Sequence, residues 1–600
     1  MIILLSLVPL LAFVAVIAMM KRESGWIQRL ALIGSITPLL FLPMLLGQSG
    51  TIQNLDWFSV GASHFYITTS LLPINLLLFA LVALIGPLVV LYSWGFMNLV
   101  TENKRFYLEL LSFQAAMLAF ALSGNFILLF IAWEFLSVTS YLLIGFWNHK
   151  EEANKAARET ITIILIGDIA LLASMAILYS TYSTLQFGTI ISDVATSGAG
   201  GALFAALTLL LLAAFTKSAQ FPFQEWLSAA MEGPTPVSAF LHSSTMVKAG
   251  VFMIMILYPL FVGTRLMEIM VVVGALTALI GIMNALAGRH IKKILAYSTV
   301  EELGLMFFAL GIGAYSAAIY FFFAQTFYKA LLFFYSGNLI RANNTEQIGE
   351  MREAKSNKIL LVSAMFGALA LAGFVPFNGF VANITLENAA TNMYAYALLL
   401  AVDLFVSIFI MRWLFLPLRK SESKSQAGTL SIKYRTLPKS MLLPGVILAA
   451  LALVTSAMLP YISTLAKGMG EYGYAAAPLG FGYLDIAIET ALAAAGIAIA
   501  YALFYRKVNA AHKISATADR MMNNGLAFDG FYHYVATFGY YVSGAFEFFD
   551  EELNALFDSI GGATTALGDT LRYMETGLVN SYVLAMLVGL AIVIIAVIVA

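Results

Sequence analysis

Apolar runs of about twenty residues recur along almost the whole chain, and each is long enough to cross about 30 Å of hydrocarbon as a helix. The first covers Met1 to Met20, later ones begin near Ile27, Leu72, Glu109, Phe126, Thr160 and Ala202, and the series continues to Leu578. By length alone this predicts about sixteen membrane spans. The first run lacks a basic stretch before it, so it reads as a retained span and not as a secretory signal. With 61% hydrophobic and only 11% charged residues, against roughly 25% charged in soluble domains, the expected fold class is an all-α polytopic membrane protein. The chain has no cysteine, which excludes thiolate zinc sites and cysteine-held iron–sulfur clusters, and it shows no phosphate-binding GxxxxGK[ST] loop. No cofactor and no metal is therefore expected in this chain. A net charge of −1 gives no reason to expect nucleic acid.

Basic residues of short loops favour the cytoplasmic side. Lys21 and Arg22, Lys104 and Arg105, Lys150, Lys155 and Arg158, Arg289, Lys292 and Lys293, Arg352, Lys355 and Lys358, and Arg419, Lys420 and Lys424 all fall on one side if the N-terminus is outside. The opposite loops hold little beyond Arg265 and Lys467. The reading is a multi-pass protein of a cell membrane with both termini outside. One stretch, Lys507 to Glu575, is too mixed to cross a bilayer; its aromatics interleave with charges such as Asp550, Glu551 and Glu552. Such a pattern suits helices lying on a membrane surface, here on the cytoplasmic side, or along other subunits.

Ionisable residues at membrane depth mark function by default. Glu134 lies inside FILLFIAWEFLSVTSYLLIGFW, Lys217 inside LLLLAAFTKSAQF, His242 inside AFLHSSTMVKAGVFM and Lys329 inside FFFAQTFYKALLFF. A carboxylate, two amines and an imidazole suit a proton wire. The same residues also suit a structural ion pair (Glu134 with Lys217), a snorkelling chain end (Lys329) or an interhelical hydrogen bond (His242). Pro222 in FTKSAQFPFQEW and Pro376 in ALAGFVPFNGF are helix-breaking sites in apolar surroundings, which membranes tolerate only where protein or a water-lined cavity satisfies the freed backbone. Two such breaks hint at two related halves. Lys248 lies six residues past His242, about 120° around a regular helix, and so need not join the same path. Trp94, Trp133 and Trp147 read as interface anchors.

Five segments carry a resemblance: RFYLELLSFQAAML, NFILLFIAWEFLSVTSYLLIGFW, KSAQFPFQEWLSAAMEGPTPVSAFLHSSTMVKAG, IKKILAYSTVEELG and FYKALLFFYSGNLI. Together they resemble the antiporter-like family shared by complex I and Mrp cation/proton antiporters, from about Trp57 to beyond Leu416. The C-terminal region, with NNGLAFDGFYHYV and LRYMETGLVNSYVLA, resembles the lateral helix and anchoring helix of the large distal subunit of complex I. The resemblance implies two inverted five-helix repeats with one broken helix each. It divides the chain into N-terminal membrane helices (1–107), an antiporter-like core (108–416), additional membrane helices (417–506), a lateral amphipathic helix (507–577) and a C-terminal anchor (578–600).

Residue by residue, the resemblance assigns Glu134 and Lys217 to a switchable pair, from which a proton passes through His242 to Lys329, with Asp168 of LIGDIA as a further path residue. Family members often carry histidines four and eight residues before the central lysine; here these positions are Gln325 and Phe321. Asn383 stands where an exit lysine is usual, and Glu387 is the available substitute. Leu165 and Leu72 replace a common arginine and aspartate. The input half looks complete and the output half does not.

The function implied is a proton-translocating subunit of a complex I-type NADH (or other donor):quinone oxidoreductase. Its partners would be further antiporter-like and other membrane subunits, within the lipid bilayer, and the redox centres would lie on other chains. Alternatives are a structural subunit that does not conduct and an Mrp-type Na⁺/H⁺ antiporter subunit.

Overall fold

An apolar segment in hydrocarbon must satisfy its own backbone groups, and the helix is the local way to do so. The computed structural model describes residues 2–506 except 21–24, 61–62, 99, 101, 198–199, 352–356, 391, 419–437 and 462–480. The lateral and anchor segments (507–577 and 578–600) therefore lie outside the described residues. So do Lys21, Arg22, Arg352, Lys355, Arg419, Lys420, Lys424 and Lys467.

The described helices are α1 (Ile2–Met19), α2 (Trp26–Leu46), α3 (Pro73–Phe96), α4 (Asn103–Ala121), α5 (Phe126–Ile144), α6 (Glu151–Tyr182) and α7 (Phe187–Ser197). They continue with α8 (Gly201–Lys217), α9 (Glu225–Ala229), α10 (Thr235–Ser243), α11 (Met246–Ile256), α12 (Tyr258–Phe261), α13 (Leu266–Ala287) and α14 (Ile291–Gly311). The last are α15 (Tyr315–Asn343), α16 (Lys358–Leu371), α17 (Asn378–Ala389), α18 (Met393–Phe415), α19 (Lys439–Val454) and α20 (Tyr483–Ala500). Among the described residues, 11 spans are long and apolar enough to cross a membrane, α10 and α11 together forming one of them. Three shorter apolar helices include α8 and α16. The protein is a mostly helical, multi-span membrane protein.

The all-α expectation needs one correction. Between α2 and α3 the chain forms an antiparallel hairpin of β1 (Ile52–Val60) and β2 (Ser63–Ser70), with a bulge between Asp56 and Phe58. The stretch TIQNLDWFSVGASHFYITTS is too polar for a span, and its β-branched and aromatic residues suit a pleated surface. The hairpin also pins the turn before α5: Gly124 N donates to Thr68 O at 2.9 Å and Asn125 Nδ2 to Tyr66 O at 2.6 Å.

The two proline sites are built alike. The first break runs from the end of α8 at Lys217 and the second from the end of α16 at Leu371. In each, a residue with positive φ follows two positions later, Ala219 (φ 50°) and Gly373 (φ 67°), and a cis proline follows five positions later, Pro222 and Pro376. The backbone bonds also correspond, Gln220 N to Phe215 O (2.8 Å) and Phe374 N to Leu369 O (3.0 Å). Protein groups satisfy what the breaks release: Phe221 N donates to Thr277 Oγ1 at 2.9 Å, and Ser407 Oγ donates to Ala372 O at 3.1 Å.

Small residues let the helices that carry the polar groups approach closely. A Cβ on Gly167 of α6 would overlap Thr216 Oγ1 of α8. Along α13 and α14, a Cβ on Gly274 would lie 2.6 Å from Gly304 O, and one on Gly281 would lie 2.6 Å from Glu301 N.

Candidate functional site

Among the described residues, three groups of buried ionisable side chains stand out inside this apolar bundle. The first centres on Lys217, at the C-terminal end of α8 and with no exposed surface. Its Nζ donates to Ser137 Oγ at 2.5 Å and to Trp133 O at 3.4 Å, and meets Asp168 Oδ1 at 3.4 Å. Asp168 in turn accepts from Trp133 Nε1 at 2.5 Å and from Ser137 Oγ at 3.0 Å. Trp133 and Ser137 are one turn apart on α5, so one helical face serves both the amine and the carboxylate. The Trp133 ring also lies under the lysine, 4.6 Å from Nζ to its centroid. Trp133 is fully buried, which corrects the reading of it as an interface anchor: the indole N–H has a carboxylate partner inside the bundle and no need of the interface.

Glu134 is half-buried on the same helix and lies within electrostatic range of both Asp168 and Lys217. In this structure the carboxylate in contact with Lys217 is Asp168.

The second group joins α10, α11, α14 and α15. His242 is fully buried at the end of α10, its ring 4.9 Å from that of Phe333, and neither ring nitrogen has a hydrogen-bond partner among the described residues. Lys329 is a charged neighbour of His242. The α10–α11 segment is interrupted at Ser244 and Thr245, where Thr245 has φ −127° and ψ −116°. A regular-helix count from His242 therefore misplaces Lys248. Its Nζ donates to Thr326 Oγ1 at 2.7 Å and to Phe322 O on α15, with Lys329 and Glu302 as charged neighbours. Lys248 thus joins the group that the helical count set apart.

Lys329 itself donates to Ser298 Oγ at 2.5 Å and pairs with Glu302 Oε2 at 2.6 Å. Ser298 and Glu302, one turn apart on α14, face Gln325 and Lys329, one turn apart on α15. Gln325 Nε2 donates to Glu302 at 3.0 Å, and Tyr328 donates to the other carboxylate oxygen. The lysine–serine–carboxylate arrangement around Lys217 is thereby repeated around Lys329. A search for ionisable groups on the lysine's own helix misses Glu302, because this partner sits on the neighbouring helix, in LAYSTVEELG. Phe321, also on α15, is buried.

The third group lies beyond the second break. Asn383 of α17 donates through Nδ2 to Asp403 Oδ1 on α18 at 2.9 Å and to Glu489 Oε1 on α20 at 3.0 Å. Glu387, one turn from Asn383, completes a buried trio with Asp403 and Glu489, whose oxygens lie within 4.8 Å of one another. Oxygens at this spacing suit a shared proton or a small cation. Asn383 and Glu387 stand out in the sequence. Asp403 and Glu489 do not: Asp403 is a lone acid in an otherwise ordinary span, and Glu489 follows Asp485 by one turn near the start of its own.

Residues 123–411 match the family model for the membrane part of NADH:quinone oxidoreductase and Mrp antiporters. The chain is 31% identical over 564 residues to NADH-quinone oxidoreductase subunit L of Mycobacterium tuberculosis, covering 90% of this chain and 87% of that one. The chain belongs to this family. It is also 36% identical over 352 residues to NAD(P)H-quinone oxidoreductase chain 5 of Synechocystis, and 34% identical over 413 residues to an Na(+)/H(+) antiporter subunit of Alkalihalophilus pseudofirmus. Those matches take in 56% and 64% of this chain and span about half of each relative, 51% in both cases. In fold, the chain resembles the Mrp complex structure from Dietzia, with a TM-score of 0.76 at 23% identity, covering 100% of this chain and 63% of that one. All three polar groups draw on helices inside the matched family region; Glu489 alone comes from outside it.

Proposed function

We propose that this chain is a proton-translocating membrane subunit of a complex I-type NADH (or other donor):quinone oxidoreductase, with electron transfer carried out on other subunits. One observation carries the reading: Lys217, Lys248 and Lys329 lie fully buried on helices α8, α11 and α15, the first and last each held by a serine and a carboxylate. Burying a charge in a bilayer is costly and persists where it serves a path. In this reading Lys217 switches between Asp168 and Glu134 as partners, and its proton passes by way of His242 and Lys248 to Lys329. Chemistry enters from outside, so the chain needs no cofactor of its own.

The finer architecture belongs to the same proposal. The matched geometry of the breaks at Pro222 and Pro376 supports two inverted five-helix repeats within about sixteen spans. The basic loops support an outside N-terminus. Partners would be other membrane subunits, including further antiporter-like ones.

A second reading is an Na⁺/H⁺ antiporter subunit. The relative from Alkalihalophilus pseudofirmus favours it, as does a carboxylate trio whose spacing would accept a cation. The two separate by experiment. The complex purified from its native membrane, with wild-type chain or Lys217→Ala, is placed in vesicles and driven by NADH or a reduced deazaflavin while a pH-sensitive dye reports pumping. Donor-driven acidification that Lys217→Ala abolishes supports the first reading. Unchanged pumping in Lys217→Ala overturns it, and Na⁺-dependent pH change without any electron donor selects the second.

A further inference from the structure

Among the described residues, the group in contact with Lys329 that can take its proton is Glu302. Glu302 Oε2 lies 2.6 Å from Nζ, and neither residue is more than 2% exposed. Ser298 and Tyr328 are hydroxyl groups that orient the pair, and Gln325 donates an amide proton that it cannot exchange for another charge state. Transfer from the Lys329 ammonium to the Glu302 carboxylate yields an amine and a carboxylic acid. Two opposite charges vanish together, so the step leaves no lone charge in a medium that penalises one heavily.

The next residue, Glu301, extends the route. It is 1% exposed, and its Oε2 has no hydrogen-bond partner among the described residues. Adjacent helical positions diverge by about 100°, so Glu301 and Glu302 point from α14 in different directions. Glu301 lies within electrostatic range of Glu302, Lys329 and Asp403. Asp403 belongs to the trio with Glu387 and Glu489. Geometry thus fixes the two ends, the Lys329–Glu302 pair and the Asp403–Glu387–Glu489 trio, and Glu301 lies within electrostatic range of both.

We propose that Glu302 and then Glu301 carry the proton away from Lys329 and deliver it to the Asp403–Glu387–Glu489 trio, forming an output path of carboxyl groups. The inference rests on the proposed function. At each step one carboxylate gains the proton its neighbour loses, and water bridges any gap longer than a hydrogen bond. No electron moves, and one proton enters for each that leaves.

The test uses the intact complex from its native membrane, carrying Glu302→Gln, Glu301→Gln, Glu302→Asp or Lys217→Ala. Pumping is driven by NADH or a reduced deazaflavin and followed across pH. Removing a proton carrier is expected to cost on the order of 100-fold in pumping rate for Glu302→Gln and a large loss for Glu301→Gln. Glu302→Asp, which keeps the carboxyl group, is expected to pump with a displaced pH profile. The groups facing Glu302 that bear on this profile are Lys329 and Tyr328 on α15, Lys248 on α11 and Glu301 beside it. A Glu302→Gln complex that assembles and pumps like wild type overturns the inference. If that variant does not assemble, wild-type rate and pH profile in both Glu302→Asp and Glu301→Gln overturn it. Loss of pumping in Lys217→Ala with none in Glu302→Gln defeats the output path alone, whereas normal pumping in both defeats the proposed function as well.

Discussion

Gly167 of α6 and Thr216 of α8 meet so closely that a Cβ on the glycine would overlap the threonine hydroxyl. Each is followed directly by a residue of the first polar group, Asp168 and Lys217, which meet at 3.4 Å. The contact holds close together the two helices that carry this pair. Gly167→Ala should force the helices apart, costing about 1–3 kcal/mol of stability as an overpacked contact and weakening the Asp168–Lys217 pair. A thermal-shift measurement in detergent reads the first effect and donor-driven pumping the second. Pumping at the wild-type rate would show that the spacing of this pair is not critical.

Lys329 and Glu302 form a buried pair, and removing one partner deprives the other of its nearest opposite charge. Lys329→Gln or Glu302→Gln should each cost about 3–5 kcal/mol, while the double variant should cost much less than their sum. Denaturation of the four forms in the same detergent gives the coupling directly. An additive double variant would mean that the two side chains do not depend on each other.

The helices and both breaks are legible in the sequence because span length and proline are local signals. Local signals are also where reading fails. The β1–β2 hairpin carries no apolar run and so leaves no mark in a search for spans. A regular helix extrapolated across Ser244 and Thr245 separates Lys248 from Lys329, whereas the backbone there is not helical. Glu302, Asp403 and Glu489 depend on contacts 20 to 106 residues away along the chain. Only packing brings such partners together, and no spacing rule within one helix predicts it.

Outside the spans, Glu346 joins the loop after α15 to the start of α14. Its carboxylate meets His290 Nε2 at 2.5 Å and Lys292 Nζ at 3.1 Å. Burial pushes the carboxyl group up, but the His290 hydrogen bond and the charges of Lys292 and His290 outweigh this and bring it down to about 2. A carboxylate held below its ordinary value of 4.5 stabilises the fold above that pH and ceases to do so as the pH falls toward about 2. The melting temperature of Glu346→Gln should therefore lie below that of wild type at neutral pH, with the gap narrowing as the medium is acidified below about 4.5. A gap that stays constant down to the lowest accessible pH would rule out this linkage.

Asn383 supplies the amide that bridges Asp403 and Glu489, and Gly373 makes room for it. A Cβ at position 373 would lie 2.5 Å from both Asn383 Nδ2 and Glu489 Oε1, and the backbone there has φ 67°. Asn383→Leu removes the donor from two buried carboxyl groups at once. Leaving buried acceptors unsatisfied costs about 1–3 kcal/mol each, so the variant should melt well below wild type. Asn383→Asp adds a fourth acid to the trio and removes the bridging amide, which should disturb the cluster through charge as well as hydrogen bonding. Gly373→Ala strains the backbone and crowds the same two side chains while leaving every polar group in place. If the bridge matters through its position, Gly373→Ala and Asn383→Leu should lower pumping together, as measured in the purified complex. If only Asn383→Leu does so, the hydrogen bonds matter and the exact spacing does not, because a small shift of α16 can absorb the added methyl group.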